Sequence, residues 1–398
     1  MINVNYIEFG EKISDHLRSL RAELHSNPEP STFEEITSQI ILKELKNIGI
    51  TDIQTGLGNG KHGIIANIEG GLSGKKVALR ADMDALAIEE ETDLECTSKN
   101  KGYMHACGHD NHVAMVLGAA NIIYQNKDKL KGSVRLIFQP AEELSPEGGA
   151  KSMILEGVLK DVDAIFGFHV WPELPFGVMG FKEGPLMAAS DYFHVNIKGK
   201  ASHAAGPENG VDAIVAGCEY VGAIQHIVSR NISAIDNAVI TVGTINAGTR
   251  YNIVAEDFKV EGTCRTLSPE IRDLVENRLE EILEGICKVY GCKGELNYQR
   301  GYIPLINDSE MTKYAKKVAL DLFGEKYVQD VKEPVLKAED FGFYLAEKPG
   351  SFIWLGTAEQ DKDYWPLHNS HFSPNDEVLY RGSAMLAKLA FEFTESNK

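Results

Sequence analysis

The chain reads as an α/β protein: an αβα sandwich on a largely parallel, mixed sheet, interrupted by a smaller ferredoxin-like insert. Three observations carry this expectation. The apolar runs GIIANIEG, KKVALRAD, SVRLIFQP and AIFGFHVW are strand-like. A clear helix, HVAMVLGAANIIY, lies between the second and third, and strands alternating with helices imply a sheet covered on both faces. From about residue 187 the rhythm changes to strands and helices in the order βαββαβ.

In order along the chain, residues 12–25 and 34–48 repeat apolar side chains at helical spacing (Ile13, Leu17, Leu20, Leu24; Ile40, Leu42, Leu45) and are expected to be amphipathic helices. The four strand-like runs and their helix follow. In the insert, Tyr192–Ile197 alternates as a strand and 210–228 is helical. Residues 238–245 and 253–264 form two strands around the turn Asn246-Ala247-Gly248, 269–290 is a long helix and 294–299 a last strand. Alternation then resumes with a helix at 309–323, a strand at 351–356 and a helix from Asp376 to about Phe393. At 398 residues the chain exceeds the size at which one core stops growing. The expected division is a discontinuous domain of 1–186 and 300–398 with 187–299 inserted as a second.

Composition narrows the function. Net charge is −18, from 40 Lys plus Arg against 58 Asp plus Glu, and no basic run tracks a phosphate backbone, so no nucleic-acid partner is expected. No basic segment precedes an apolar run at the N-terminus, and no stretch approaches the ~20 apolar residues of a membrane span, so a cytoplasmic protein without membrane partners is expected. Six scattered cysteines do not form the framework of a secreted scaffold; apart from Cys107 they read as reduced core or surface thiols.

Chemistry concentrates after the strands. Met104-His105-Ala106-Cys107-Gly108-His109-Asp110 supplies a thiolate and an imidazole two positions apart, before a helix for which Asp110 is a natural N-cap. Gln139-Pro140-Ala141-Glu142-Glu143 supplies two carboxylates that cannot point the same way, which suits one to bind a metal and the other to act as general base. Asp82 and Asp84 share a face of a strand end, where either can accept a ring N–H from His109. His169, after AIFGF, and His368, in LHNSHF, would complete a ligand set, with His105, His112 and His371 less favoured. Ligands lie beyond the carboxyl ends of strands in open α/β sheets, so convergence in one crevice is economical. Taken singly, each feature also has a structural reading: a buried Cys beside a core His, a solvated Glu pair, a capping Asp.

RADMDAL, MHACGHD, QPAEE, GFHVWP, GKASHAA, AGTRYNIVAE, EGTCRT, EDFGFYL and LHNSHF, in this order, resemble the bimetallic amidohydrolases that include bacterial aminoacylases, hippurate hydrolases and auxin-conjugate hydrolases, within the zinc carboxypeptidase-like clan. The resemblance spans essentially the whole chain. It implies metal ligands at Cys107, His109, Glu143, His169 and His368, with Glu142 as catalytic base. It implies two divalent ions per subunit, zinc or manganese foremost and nickel or cobalt as further candidates. It also implies that 187–299 is a lid through which a homodimer or homotetramer forms. His203 matches a lid histidine that helps stabilise an oxyanion, in its own or a partner's site, and Asn252 matches a lid residue near substrate. Arg250 is a plausible partner for a substrate carboxylate. The chain departs from the family's usual residues at Asn111-His112-Val113 and Asn369-Ser370.

The leading expectation is hydrolysis of an N-acyl-L-amino acid, a small-molecule substrate, with Glu142 taking the proton from the attacking water. An N-acetyl-diaminopimelate deacetylase or small-peptide hydrolase of the same clan is the near alternative. Two more distant readings are a Cys107 nucleophile with a histidine base, and a metal-stabilised binding protein without turnover.

Overall fold

The computed structural model describes residues 4–359 and 364–395. The chain divides into two compact units, one of Met1–Gly184, Ile306–Glu333 and Asp340–Lys398, the other of Pro185–Leu305 and Pro334–Glu339.

The first unit begins with helices α1 (Tyr6–Lys12), α2 (Ser14–His25) and α3 (Glu35–Ile48), then strands β1 (Asp52–Leu57), β2 (Gly63–Glu69) and β3 (Leu72–Asp82). Next come α4 (His109–Gln125), β4 (Lys131–Gln139), α5 (Ala150–Leu155), β5 (Ala164–Pro175) and β6 (Met179–Phe181). Beyond it run β7 (Gly184–Met187), β8 (Ala189–Lys198), α6 (Ala213–His226), β9 (Ala238–Ala247), β10 (Asp257–Thr266), α7 (Pro269–Tyr290) and β11 (Lys293–Tyr302). The chain ends through β12 (Leu305–Asn307), α8 (Ser309–Phe323), β13 (Val328–Asp330), α9 (Gly342–Glu347), β14 (Gly350–Ala358) and α10 (Leu379–Glu395).

Eight strands form the main sheet in the order β1-β2-β4-β3-β5-β14-β6-β13. Its centre, β4-β3-β5-β14, is parallel, with Asp82 beside Gln139 and His169 beside Trp354. The central strands are apolar on both faces because helices cover both sides. Helix α4 is buried almost all round and packs against α2 and α10, as a helix hydrophobic on every side must. Asp110 does not cap it. Gly108 holds the N-cap position, and the buried Asp110 carboxylate instead hydrogen-bonds His25 Nδ1 at 2.7 Å and pairs with the Arg21 charge, whose Nε lies 3.0 Å away.

The second unit carries an antiparallel sheet ordered β11-β8-β10-β9, with α6 and α7 packed on it in the βαββαβ order of a ferredoxin-like fold. Phe193, Val195 and Ile197 alternate inward from β8 towards Tyr220, Val275 and Leu279. Ser268 caps α7 through Ile271 N, with Pro269 in the first turn. Strand β10 starts later than the apolar pattern suggests, because Ile253 is drawn into an isolated bridge with His203.

Candidate metal centre

Each polar segment at the sheet's carboxyl edge is held by backbone that its sequence dictates. Cys107 and His109 flank Gly108, which has φ 83° and whose absent Cβ would lie 2.4 Å from Val170 Cγ2. A side chain there would collide with β5, so only glycine permits this turn. Ala141, leading into Glu142, has φ 59°, and His368 has φ 66°. Two non-glycine residues in the left-handed region beside one cluster mark backbone that its surroundings over-determine. Those restraints are visible: Ala141 N–H donates to Glu34 Oε1 at 2.8 Å, and His368 N–H donates to Ala106 O at 2.8 Å.

Asp84 ties the segments together. Its carboxylate accepts Glu142 N–H at 3.1 Å, Glu143 N–H at 2.9 Å and the Ser31 hydroxyl at 2.6 Å. Its backbone carbonyl lies 2.9 Å from His109 Nδ1, with Oδ1 at 3.3 Å. In the neutral ring the proton therefore sits on Nδ1, and the buried Nε2, which has no hydrogen-bond partner, is the nitrogen that becomes an electron-pair donor when a cation displaces its proton. His169 is oriented likewise: Nδ1 lies 2.6 Å from Val170 O, while Nε2 lies 3.4 Å from Cys107 Sγ.

Asp82 does not share the task of orienting His109. Its Oδ1 takes His112 Nδ1 at 2.6 Å and its Oδ2 takes Arg80 at 2.6 Å, with His109 Nε2 3.8 Å away. His112 Nε2 accepts Val170 N–H at 3.0 Å, so the ring proton is on Nδ1 and the imidazole braces Asp82 against β5.

The structure brings together Cys107, His109, Glu143, His169 and His368. Donor atoms of Cys107, His109 and His169 lie within 4.8 Å of one another, and so do those of Cys107, Glu143 and His368. Glu143 Oε1 is 3.3 Å from His368 Nε2 and 4.0 Å from His109 Nε2, and it too is buried without a hydrogen-bond partner. Unsatisfied buried acceptors facing one another are costly, and a cation between them resolves the cost. One sulfur with nitrogen and carboxylate oxygen suits a borderline-soft divalent ion, so these two groups, with Cys107 in both, fit such ions. Glu142 stands beside both clusters, its Oε1 accepting Asp340 N–H at 3.4 Å and its Oε2 3.9 Å from His109 Nε2.

The electrostatics agree. Burial lowers the His109 pKa, but the Asp82 charge and the Asp84 hydrogen bond outweigh it and hold the imidazolium up at about 10. Burial works to raise Asp82, yet His109, Arg80 and His112 keep it well below the usual carboxylate range. This is a site that demands positive charge.

In the second unit, His203, Arg250 and Asn252 are exposed on two segments that run side by side, with Ala204 N–H donating to Asn252 O at 3.1 Å. His203 Nδ1 accepts Ala205 N–H at 3.0 Å, which leaves the neutral ring's proton on Nε2. The Arg250 guanidinium lies 5.8 Å from the Tyr251 ring centroid.

The family model described as peptidase family M20/M25/M40 matches residues 78–392. The chain belongs to this family. Among its M20 relatives, thermostable carboxypeptidase 2 of Saccharolobus solfataricus is 39% identical over 98% of this chain and 97% of its own. The N-acetyl-L-cysteine deacetylase of Bacillus subtilis is 40% identical over 97% of this chain and 90% of its own. A solved Bacillus subtilis structure, a dinuclear metal-binding peptidase of the M20 family, superposes with a TM-score of 0.84 at 36% identity, covering 97% of this chain and 99% of that one. This M20 chain is a metal-dependent hydrolase of linear amide bonds, and the two clusters sharing Cys107 agree with two metal ions. No helix among the described residues is long and apolar enough to cross a membrane.

Several supports of the M20 centre escaped the sequence reading. Arg80 is buried and spans Asp82, Asp340 (2.8 Å) and Gln139 (2.9 Å); an arginine inside the apolar run VALRAD was the available signal. Glu34 lies 107 positions from Ala141, and no local pattern links them. Burial and the neighbouring Asp84 charge push its carboxyl up to about 8 from 4.5. Stability from a raised carboxyl is complete below the unfolded value and is lost as pH rises through the folded one. The metal-loaded wild type is therefore expected to lose stability between about pH 5 and 8, where Glu34→Gln, which keeps the acceptor for Ala141 N–H, stays flatter. Denaturation midpoints at the two pH values check this; parallel losses would rule out a protonated Glu34.

Proposed function

We propose that this M20 enzyme hydrolyses the amide of N-acyl-L-amino acids to a carboxylic acid and a free amino acid. The observation that carries the proposal is the pair of ligand clusters sharing Cys107 with Glu142 alongside. Two divalent ions held by Cys107, His109, Glu143, His169 and His368, zinc or manganese before nickel or cobalt, would supply Lewis-acid polarisation of the scissile carbonyl and the attacking water.

The residues do the rest. Glu142, anchored through Oε1, takes the proton from water and delivers it to the leaving amine nitrogen. Asp84 sets the carboxylate's position through the Glu142 amide. His203 offers its Nε2 proton to the oxyanion that develops on the carbonyl, and Arg250 with Asn252 receives the substrate carboxylate. The second unit acts as a lid and joins subunits into a homodimer or homotetramer, and the enzyme works in the cytoplasm. Replacing His203 with Ala should lower kcat by about 100- to 1,000-fold with metal content unchanged. Normal turnover by that variant would remove His203 from the reaction.

Similarity to a carboxypeptidase favours a second substrate class, small peptides. Incubating metal-loaded enzyme with acetyl-, benzoyl- and indoleacetyl-amino acids, acetyl-diaminopimelate and unblocked dipeptides decides between them. Release of free amino acid from an acylated substrate is expected. Cleavage confined to dipeptides would move the assignment to a peptidase, and no release from any acylated substrate would overturn the N-acyl-amino-acid assignment.

A further inference from the structure

Helix α7 ends in a motif that sets two thiols side by side. Gly291 takes φ 72° and donates its N–H to Cys287 O, and Cys292 N–H donates to the same carbonyl at 3.0 Å. In a helix end closed by this long backbone bond through a left-handed glycine, the side chains at its two ends meet, and a hydrophobic contact normally fills that spot. Here both positions are cysteine. Cys287 is buried, Cys292 is half-buried, and both are free thiols. Cys292 Sγ lies 3.8 Å from Cys287 O, so its thiol donates weakly to the backbone of the last turn of α7. Gly294 keeps the space clear from the β11 side: a Cβ there would come within 2.6 Å of Cys287 Sγ.

We propose that Cys287 and Cys292 form a reversible redox dithiol, a modification site independent of the metal centre. A hydroperoxide oxidises the more accessible Cys292: its thiolate attacks the O–O bond, gains one oxygen as sulfenic acid and releases an alcohol or water. The Cys287 sulfur then attacks the Cys292 sulfur, forming the disulfide and expelling hydroxide, which leaves as water with the Cys287 proton. Two electrons pass from the two sulfurs to the peroxide. Burial, with the neighbouring Cys292 thiol, pushes the Cys287 thiol up to about 12, so Cys287 keeps its proton while Cys292 meets the peroxide and gives it up only as it attacks the sulfenic acid. The product pins the last turn of α7 to the start of β11.

The test is mass spectrometry on the full-length, metal-loaded enzyme after brief hydrogen peroxide treatment, alkylation and proteolysis, with the exposed Cys218 as an internal gauge of oxidation. The peptide spanning both residues should lose two hydrogens and escape alkylation until dithiothreitol is added. Cys287→Ser should trap Cys292 as a dimedone adduct, and Cys292→Ser should leave Cys287 unmodified. Free alkylation of both thiols at a dose that oxidises Cys218 would overturn the proposal. A dimedone adduct on Cys287 in Cys292→Ser, with none on Cys292 in Cys287→Ser, would overturn the assigned roles.

Discussion

Replacing Glu142 with Gln is expected to cut kcat by about 100- to 10,000-fold, the usual worth of a positioned general base, while the protein keeps its metal. The substitution is nearly isosteric and spares what holds the side chain. Asp84 still accepts the residue's backbone N–H, and the amide oxygen can still accept Asp340 N–H. What disappears is the ability to take a proton beside the two clusters. KM should change little, because the loss falls on the transition state rather than on substrate binding. Wild-type turnover in Glu142→Gln would remove Glu142 as base. Loss of metal together with activity would make it a ligand instead.

Stripping the divalent ions with a chelator should abolish activity, and adding zinc or manganese back should restore it. With no cation present, the carboxylates around His109 hold its pKa near 10, so at neutral pH that imidazole carries a proton which an incoming ion must displace. Reloading should therefore release protons and tighten as pH rises. The metal-free protein should also be less stable, by about 4 kcal/mol where the ion had been present at a thousand times its Kd. The same experiment separates the thiol-nucleophile reading, under which a chelator leaves turnover intact and alkylation of Cys107 alone destroys it. Activity that survives complete removal of metal would end the metal-dependent mechanism.

The parts of this fold legible in the sequence were those with a strong local period: α2 and α3 by helical spacing, the parallel core strands by their apolar runs, the insert by its changed rhythm. Short β6 and β13 carry too few residues to show a pattern and exist because β14 and α8 bring partners to them. His169 was expected at a strand end, yet it lies inside β5, which runs on through Val170 and Trp171 to Pro175. At the site, residue types and their placement after strands pointed to Cys107, His109, Glu142 and Glu143, because ligand chemistry restricts the choice sharply. What the sequence withheld was division of labour among neighbours. Asp82 and Asp84 look equivalent two positions apart, but the first faces Arg80 and His112 while the second faces His109 and the Glu142–Glu143 amides. Those partners come from segments tens of positions away, so only the assembled sheet distinguishes the two carboxylates.

The place of β14 between β5 and β6 sets an order on biosynthesis. Residues 185–305 emerge from the ribosome as an uninterrupted stretch and can close their own sheet while the first unit still lacks β13 and β14, the last two of its eight strands. Until 350–358 are made, β5 and β6 lack the strand that pairs with both of them, and His368 has yet to be made. Cys107, His109 and His169 are thus all translated long before the group of Cys107, Glu143 and His368 is complete. That second group can assemble only after almost the entire polypeptide has been translated.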